Sequence, residues 1–340
     1  MTADPPRFIV TGACGFIGSN LVGELSRRAP GCAILGVDDC RSGSFENIVD
    51  ACARLAGAPF TGDLAAMSTA DLAWDDLLDD VRPAAVFHLA AITDTTIADE
   101  RAMIETNVEG FRPILDACAG AGVPLVYASS AATYGSPAQG RDRVPFPEDA
   151  AGEPNNVYGF SKWLMENLHR ERIVEHERVG EPEPHVVGLR FFNVFGPGES
   201  RKGSMASMAH QLTSQILAES RPRLFTAGEQ ARDQVFVMDV VACMITAAET
   251  TATPGVYNCG SGVATTFNEL ARAVRAGLGV TEGDAPTEYF EMPADIRRFY
   301  QDYTCADLAR VQAGVGWSPD ATPTDAIARY AAHIKADQSR

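Results

Sequence analysis

Residues 8–25 read FIVTGACGFIGSNLVGEL, and this stretch predicts the type of fold for the whole chain. A β-prone apolar run leads into a turn with Gly12, Gly15 and Gly18, and then into an amphipathic segment that begins near Phe16. A strand, a tight turn and a helix in this order form a phosphate-binding unit, because the free N–H groups and the dipole of a helix N-terminus attract an anion. The spacing GxxGxxG departs from the commoner GxGxxG.

The next apolar run supports this interpretation. Residues 32–37 read as a second strand that ends in Asp38, twenty residues beyond Gly18. A carboxylate at that place accepts hydrogen bonds from ribose hydroxyl groups. The combination favours a dinucleotide-binding site over a purely structural strand-turn-helix unit.

Composition limits the classes of partner. The chain has 340 residues, of which 46% are apolar, so a principal domain with a large core and a smaller second domain are expected. A formal charge of −17 argues against nucleic acid or an anionic membrane as partner, and a phosphorylated ligand needs a local basic pocket. No apolar run reaches the roughly 18 to 20 residues of a membrane span, and residues 1–7 lack the core of a signal peptide. We therefore expect a cytoplasmic protein.

The eight cysteines are scattered and form no CxxC pair. Most lie in apolar runs, a pattern typical of reduced, buried thiols and not of a disulfide framework or a zinc site. We expect no metal site.

Apolar runs at 58–61, 84–89, 124–128 and 186–192 alternate with helical segments at 48–55, 104–119 and 158–177. This alternation predicts an α/β fold with a Rossmann-type doubly wound parallel sheet, whose ligands bind at the carboxyl ends of the strands. We expect residues 1–192, completed by about 233–262, to form the dinucleotide-binding domain. Residues 193–232 and 263–335 form the expected smaller C-terminal α/β lobe for the substrate.

Two strand ends supply further candidates for cofactor contacts. Asp63 and the adjacent Leu64 follow the run at 58–61, where an acid can hold the adenine amino group or, alternatively, cap the next helix. Small residues after the run at 84–89 let the chain pass close to a nicotinamide ribose. The candidates in that segment are Leu89, Ala90, Ala91 and Thr93.

Ser130, Tyr158 and Lys162 are the catalytic candidates. Tyr158 and Lys162 open the helix at 158–177 and, four residues apart, share one face. A phenol with a pKa near 10 is a weak base, but a nearby ammonium and a positively charged nicotinamide favour the phenolate, and Ser130 can then hydrogen-bond the substrate oxygen. The alternative is a surface Tyr–Lys pair. It is disfavoured because the chain has only three lysines, Lys162, Lys202 and Lys335, beside 25 arginines.

Arginines next to aromatic residues provide the basic pocket that the acidic chain needs. Arg297 stands close to Tyr300, and guanidinium groups match phosphate oxygens and stack on flat rings. Arg201 and Arg232 can join it around a diphosphate, whereas the alternative for Arg297 is a solvated basic turn.

The glycine turn, Ser130, Tyr158 and Lys162 together resemble the extended short-chain dehydrogenase/reductase superfamily over about residues 7–333. The chain is similar in particular to its nucleotide-sugar epimerases and dehydratases. The stretches YASSAATYG, NVYGFSK, RFFNVFGPGESRKGSMASM and YQDYTCADL resemble the epimerases that invert C6 of an ADP-linked glycero-manno-heptose, and KGSMAS is the most specific of them.

This resemblance implies transient oxidation of the C6 alcohol by a tightly bound NAD or NADP, followed by reduction from the opposite face. It implies that Tyr158 and Lys202 form the acid/base pair, that Lys162 holds the nicotinamide ribose and tunes Tyr158, and that Ser130 orients the substrate oxygen. Other positions matching cofactor contacts are Phe16, Ile17, Asp38, Asp39 and Asn107. Other positions matching substrate contacts are Asn193, Ser204, Phe225, Arg232 and Tyr300. The resemblance also implies a homo-oligomer.

The chain departs from that pattern at two places. The loop 38–43 holds two acids, Asp38 and Asp39, with Arg41 as its only cation, where the family often has a lysine for the 2′-phosphate of NADP. Since carboxylates repel a phosphate, the loop favours NAD slightly. Gln211 stands where the family usually has a substrate-contacting histidine, with His210 just before it.

Two other functions remain open. A 4-epimerase or 4,6-dehydratase of another nucleotide sugar has the same cofactor chemistry, but a dehydratase needs an acid and a carboxylate next to Thr133, where the chain has Ala131, Ala132 and Tyr134. A catalytically silent NAD(P)-binding protein is the second alternative. The presence of Ser130 with its tyrosine and lysine partners argues against it.

Overall fold

The protein is described by a computed structural model that covers residues 5–94, 99–136, 143–249, 251–293 and 300–338. Its strands are β1 (Arg7–Thr11), β2 (Ala33–Val37), β3 (Asp63–Ala65), β4 (Ala85–His88), β5 (Leu125–Ser130), β6 (Val186–Phe191), β7 (Asn193–Phe195), β8 (Arg223–Phe225), β9 (Ala231–Phe236), β10 (Gly255–Cys259), β11 (Ala264–Thr266) and β12 (Glu288–Phe290). Its helices are α1 (Phe16–Arg28), α2 (Phe45–Leu55), α3 (Trp74–Val81), α4 (Glu100–Ile104), α5 (Arg112–Ala121), α6 (Val157–Val179), α7 (Met208–Leu217), α8 (Val237–Ala247), α9 (Phe267–Leu278), α10 (Ala309–Val315) and α11 (Pro323–Gln338).

Within these ranges the main sheet has seven strands in the order β10-β6-β5-β4-β1-β2-β3, all parallel to their neighbours. Ile9 and Val10 point to opposite faces and lie in two different cores, one with α3, α5 and α6 and the other with α1, α2 and α8. Helices therefore cover both faces, which explains the continuous apolar runs. The predicted Rossmann-type doubly wound sheet is confirmed.

The strand order reverses between β1 and β4, which are neighbours although β2 and β3 intervene in the chain. At such a switch point the connections leave on opposite faces and open a crevice at the carboxyl end of the sheet. Thr11 pairs with His88, so the turn after β1 and the segment after β4 start at the same level. The crevice lies between these two segments.

A smaller α/β lobe begins directly after β6. It contains a three-stranded sheet in the order β11-β9-β7 and the parallel pair β8 and β12, as far as the described residues show. Helices α7, α9 and α11 pack around a separate core that includes Leu212, Leu270 and Ile327. No helix in the described part of the chain has the length and apolar character needed to cross a bilayer.

The third strand lies later in the chain than the sequence predicts. Residues 58–61 are not a strand, and β3 starts at Asp63. The Phe60 ring turns toward α2 instead, where its centroid lies 6.3 Å from that of Phe45. Asp63 consequently begins the strand instead of following it, with its side chain exposed, and Leu64 lies in mid-strand.

The segment at 104–119 is not one helix, which corrects the sequence prediction. Helix α4 ends at Ile104, a π-helical turn spans Glu105–Glu109, and α5 begins at Arg112 with a proline in its first turn. Beyond the predicted run at 186–192, Asn193–Phe195 form a further short strand that pairs with β9. Helix α2 starts three residues early, since the Ser44 hydroxyl accepts a hydrogen bond from the N–H of Glu46 at 3.3 Å.

Candidate active site

The glycine turn brings β1, the segment after β4 and α1 into close contact. Gly12 has a φ of +67°, and a Cβ atom there would lie 2.7 Å from the backbone nitrogen of Ala90. A Cβ atom at Gly18 would overlap the carbonyl oxygen of Gly12, so α1 could not pack against the turn. Gly15 is the N-cap of α1, whose first turn has neither a side-chain cap nor an acidic residue. Its N–H groups fit the pyrophosphate of a dinucleotide.

Asp38 follows β2 and is buried at the end of the crevice. Its carboxylate accepts hydrogen bonds from the N–H groups of Cys14 at 2.9 Å and Cys40 at 2.8 Å. Each oxygen keeps a lone pair that fits a ribose hydroxyl. Burial raises the pKa of Asp38, and these two hydrogen bonds oppose the rise. The Arg41 guanidinium is paired with the Asp39 carboxylate at 2.9 Å and is already engaged.

Asn107 holds the segment after β4 in place. Its side-chain oxygen accepts from the N–H of Ile92 at 2.8 Å, and its NH₂ group donates to the Ile92 carbonyl and to the Ser161 hydroxyl, both at 3.0 Å. Asn107 is fully buried, so its side chain contacts the protein and fixes the backbone along the crevice. The candidates of this segment border the crevice: Leu89, Ala90 and Ala91 are half-buried and Thr93 is exposed.

A strand end and a helix start bring the Ser-Tyr-Lys group together. Ser130 is the last residue of β5, and α6 begins one residue before Tyr158, where the Asn156 side chain caps the helix. The Ser130 hydroxyl lies close enough to the Tyr158 phenol to favour its ionised form. The Lys162 Nζ lies 6.0 Å from the centroid of the Tyr158 ring and donates to the Ala128 carbonyl at 2.9 Å.

Burial shifts the pKa values of both ionisable side chains of this group, Lys162 and Tyr158. Desolvation lowers the pKa of the Lys162 amine to about 8. Desolvation also raises the pKa of Tyr158, and the hydrogen bond from Ser130 opposes that rise. Without a further charge nearby, the site holds a neutral phenol next to a mostly protonated amine at pH 7.

A segment of the smaller lobe, residues 196–207, closes over the crevice, and we call it the strap. Fully buried Glu199 ties its two ends by accepting hydrogen bonds from the Ser207 N–H at 2.6 Å and hydroxyl at 2.8 Å. The Gln211 amide donates to the carbonyl groups of Ser204 at 3.2 Å and Ala206 at 2.7 Å. Gln211, a predicted substrate contact, therefore supports the strap, on which Ser204 is exposed.

The strap is fastened to the dinucleotide side of the crevice. The Arg201 guanidinium donates to the side-chain oxygens of Asn47 and Glu46 on α2, both at 2.6 Å. The Asn47 NH₂ group in turn donates to the Cys14 carbonyl in the glycine turn at 2.8 Å. Arg201, expected in a diphosphate pocket, is instead a clasp between the strap and α2.

Lys202 brings a second amine to the crevice. Its Nζ lies 5.3 Å from the centroid of the Phe16 ring, at the first residue of α1, and next to half-buried Ile17 in the chain. The Lys202 side chain is exposed at the mouth of the crevice, yet the surrounding protein desolvates its amine and lowers its pKa, an effect that Glu199 opposes.

Arg232 on β9 carries an orphaned polar atom. Its Nη1 is buried and has no hydrogen-bond partner among the described residues, although its guanidinium carbon lies 4.9 Å from the centroid of the Tyr300 ring. A buried N–H group without a partner is costly unless a ligand accepts from it. The Phe225 ring stands edge-on to Tyr300 at 5.6 Å. Asn193 is exposed at the start of β7, and Arg297 lies outside the described residues.

Sequence reasoning missed Glu199 and Asn47 as residues that shape this site. Neither residue belongs to a short sequence pattern. The Arg201–Asn47 contact, for example, joins residues 154 positions apart. It also treated the cysteines as buried thiols. Cys40 is exposed, and its sulfur lies 3.9 Å from that of buried Cys14.

A dinucleotide crevice that ends next to a serine, a tyrosine and a buried lysine defines the class of extended short-chain dehydrogenases/reductases. The model of the NAD dependent epimerase/dehydratase family matches residues 8–260, and the chain belongs to this family. The predicted superfamily and the predicted nicotinamide dinucleotide cofactor are thereby confirmed.

Solved structures agree with this assignment. The chain is similar to the ADP-L-glycero-D-manno-heptose-6-epimerase of Helicobacter pylori, with 29% identity, a TM-score of 0.81, and coverage of 98% of this chain and 97% of the other. A UDP-glucose 4-epimerase of Thermus thermophilus in complex with NAD has 25% identity, a TM-score of 0.76 and coverage of 97% and 99%. A UDP-N-acetylglucosamine 4-epimerase of Methanobrevibacter ruminantium shares the fold, with 24% identity, a TM-score of 0.82 and coverage of 99% of both chains.

Proposed function

We propose that the chain is an epimerase that inverts C6 of an ADP-linked glycero-manno-heptose, with tightly held NAD as its cofactor. The observation that carries this proposal is the presence of two proton-transfer groups on two walls of the crevice. Tyr158 lies on α6, beside the Ser130 end of β5, and the Lys202 amine lies over the ring of Phe16, the first residue of α1 after β1. Since β4 lies between β5 and β1, the carboxyl ends of these two strands are roughly 10 Å apart.

Oxidation at one face of C6 and reduction at the other face place the substrate oxygen on opposite sides in the two steps, and two separated acid/base groups suit such a reaction. The resemblance of KGSMAS and the similarity to the Helicobacter pylori heptose epimerase support the choice of sugar. The dehydratase alternative is disfavoured because Thr133 lies in a turn, Ala131–Tyr134, that contains no acid.

The cofactor is proposed to lie along the crevice from the Asp38 end to the Tyr158 end. When bound, it supplies the two-electron oxidation of the C6 alcohol and the reverse reduction. The N–H groups around Gly12, Gly15, Phe16, Ile17 and Gly18 would hold its pyrophosphate; Asp38, Asp39, Asp63 and Leu64 its adenosine; and Leu89, Ala90, Ala91, Thr93, Tyr158 and Lys162 its nicotinamide end. Asn107 would act through the backbone that it fixes.

NAD is proposed over NADP because two carboxylates surround the place of a 2′-phosphate. Asp38 and Asp39 both repel such a group. Arg41, the only cation of this loop, is neutralised by its ion pair with Asp39.

Tyr158 and Lys202 would each carry out one of the two proton transfers. Tyr158, once ionised, accepts the proton of the substrate hydroxyl, while Ser130 donates a hydrogen bond to that oxygen. The Lys162 ammonium favours the phenolate and holds the ribose. After the ketone has turned over, the Lys202 ammonium donates a proton to the oxygen from the other wall. Burial lowers the pKa of Lys202, which makes its ammonium group a better proton donor.

The smaller lobe, residues 193–232 and 263–335, is proposed to bind the nucleotide part of the substrate. The orphaned Nη1 of Arg232 would donate to the diphosphate, and the rings of Phe225 and Tyr300 would flank it. Asn193, Ser204 and Arg297 would add polar contacts. We also propose a homo-oligomer, which light scattering coupled to gel filtration would test.

The test is incubation of the purified protein with ADP-D-glycero-D-manno-heptose, without added cofactor, while NMR follows the configuration at C6. Wild type is expected to interconvert the two epimers. Tyr158→Phe and Lys202→Met are each expected to lose about 10²-fold or more in rate, since each removes one proton-transfer group.

Tyr289→Phe and Lys335→Met serve as matched controls, because both residues are exposed, Tyr289 on β12 and Lys335 on α11. Their rates should equal that of wild type. No turnover by wild type, even with NAD or NADP added, contradicts the heptose assignment. Turnover of a UDP-hexose at C4 in the same assay identifies a 4-epimerase instead.

A further inference from the structure

A second cluster of reactive side chains lies at the adenosine end of the crevice. The sulfur atoms of Cys14 and Cys40 are 3.9 Å apart, and both lie within 4.8 Å of a carboxylate oxygen of Asp38. We propose that these three side chains form a binding site for a thiophilic d¹⁰ cation such as Zn²⁺, which competes with the dinucleotide for Asp38. The competition rests on the proposed cofactor role of Asp38, whereas the metal site itself does not.

The distance between the sulfur atoms favours a cation over a disulfide. Zinc–sulfur bonds of about 2.3 Å in tetrahedral geometry place two thiolates about 3.8 Å apart. A disulfide requires about 2.05 Å, so the two sulfur atoms would have to approach by nearly 2 Å. The observed 3.9 Å accommodates a bridging cation almost without movement.

Two of the three ligands are held rigidly, as a metal site requires. The Cys14 N–H donates to Asp38 at 2.9 Å, and the Cys14 carbonyl accepts from the Ser44 N–H at 3.0 Å and from the Asn47 side chain at 2.8 Å. Cys14 is fully buried, whereas Cys40 is exposed. A cation can therefore enter from solvent at Cys40, and a water molecule can complete the tetrahedron from that side.

The donor set determines which cation fits. Two thiolates and one carboxylate oxygen suit Zn²⁺ or Cd²⁺, whereas Mg²⁺ and Ca²⁺ prefer oxygen ligands alone. Binding displaces the two thiol protons and forms two metal–sulfur bonds without a change in oxidation state.

A cation bound at this site would change how the adenosine end of the crevice binds the dinucleotide. A cation on Asp38 uses a carboxylate oxygen that a ribose hydroxyl would need. Coupling between two ligands is reciprocal. The cation and the dinucleotide therefore each lower the affinity for the other by the same factor. The site would make cofactor retention sensitive to free thiophilic metal.

Titration of the protein as purified with Co²⁺, a coloured substitute for Zn²⁺, tests the site. We expect a thiolate-to-cobalt charge-transfer band that saturates at one ion per chain. The band should grow in step with release of dinucleotide into an ultrafiltrate. Cys40→Ser should weaken Co²⁺ binding about tenfold or more. Cys32→Ser, a half-buried thiol outside the cluster, should leave it unchanged.

Absence of the band in wild type, or an unchanged band in Cys40→Ser, overturns the metal site. A band without dinucleotide release overturns the competition. Loss of two titratable thiols in metal-free protein identifies a disulfide and also overturns the proposal. These readouts need no sugar substrate, so a failed epimerase assay leaves them interpretable.

Discussion

Lys162 carries a charge that its surroundings disfavour. Burial shifts its pKa from 10.5 to about 8, so the unfolded chain binds more protons than the folded chain between these values. The free energy of unfolding of wild type should therefore rise with pH across this window. At pH 7, Lys162→Met should be more stable by up to about 3 kcal/mol, although inactive, because the buried charge is removed.

Urea denaturation of wild type and Lys162→Met at pH 7 and pH 10.5 measures this effect. The difference in stability should be largest at pH 7 and shrink toward pH 10.5, where the amine is neutral in the folded chain and only half protonated in the unfolded chain. Lys335→Met is the control, since its side chain is exposed. A difference that grows with pH contradicts the assignment.

Asp39 pairs with Arg41, the only cation of the loop 38–43, next to the proposed place of the ribose. Asp39→Ala removes one carboxylate and releases Arg41 from its ion pair. Affinity for NADP should rise about tenfold, the effect of one charge-assisted contact to phosphate, while affinity for NAD stays nearly constant. Isothermal titration calorimetry measures both affinities. The double variant Asp39→Ala/Arg41→Ala should lose the gain, and a gain that persists in it refutes this role of Arg41.

At the scale of elements, the clasp between the strap and α2 should govern cofactor retention. Arg201→Ala removes the hydrogen bonds to Asn47 and Glu46, so the strap opens more often. We expect dinucleotide to dissociate about tenfold faster, which corresponds to roughly 1.4 kcal/mol for hydrogen bonds with charged groups. Absorbance of released nucleotide during dialysis measures the rate.

Arg310→Ala is the matched control, because Arg310 forms a comparable surface ion pair with Asp149 away from the strap. Its release rate should equal that of wild type. Excess NAD should restore the turnover of Arg201→Ala. Equal release rates for the two variants would show that the clasp does not retain the cofactor.

Across the whole molecule, a buried polar network joins α6 to the main sheet. The Glu166 carboxylate accepts from the Ser129 hydroxyl at 2.6 Å and from Arg190 at 2.7 and 2.9 Å. Arg190 donates to the Tyr134 hydroxyl at 3.0 Å, which donates to Asn258 on β10 at 2.6 Å. Glu166→Gln leaves the buried guanidinium uncompensated and should lower the free energy of unfolding by about 3–5 kcal/mol.

Chemical denaturation followed by circular dichroism measures that loss. Glu171→Gln, an exposed position on the same helix, should change stability by less than about 0.5 kcal/mol. A loss of similar size in both variants would assign the effect to the helix and not to the network.

Features that depend on residues close together in the sequence could be predicted, whereas features that depend on contacts between distant segments could not. Helix α9 begins at Phe267 because Thr266 and Glu269 form a capping box, a pattern that is visible in the sequence. The glycine turn and the spacing of Tyr158 and Lys162 are equally local. The start of β3 and the role of Asn107 depend on contacts between distant segments, such as Phe60 with α2, and no short pattern encodes them.

Under the proposed function, the strap would affect how the protein exchanges its cofactor with the nucleotide pool of the cell. A crevice fastened from outside lets its occupant be oxidised and reduced within one turnover without exchange with the surrounding pool. The rate of such an enzyme is independent of the ratio of oxidised to reduced nicotinamide nucleotides. Under the proposed function, the contacts of Arg201 with α2 would insulate the reaction from the metabolic state around it.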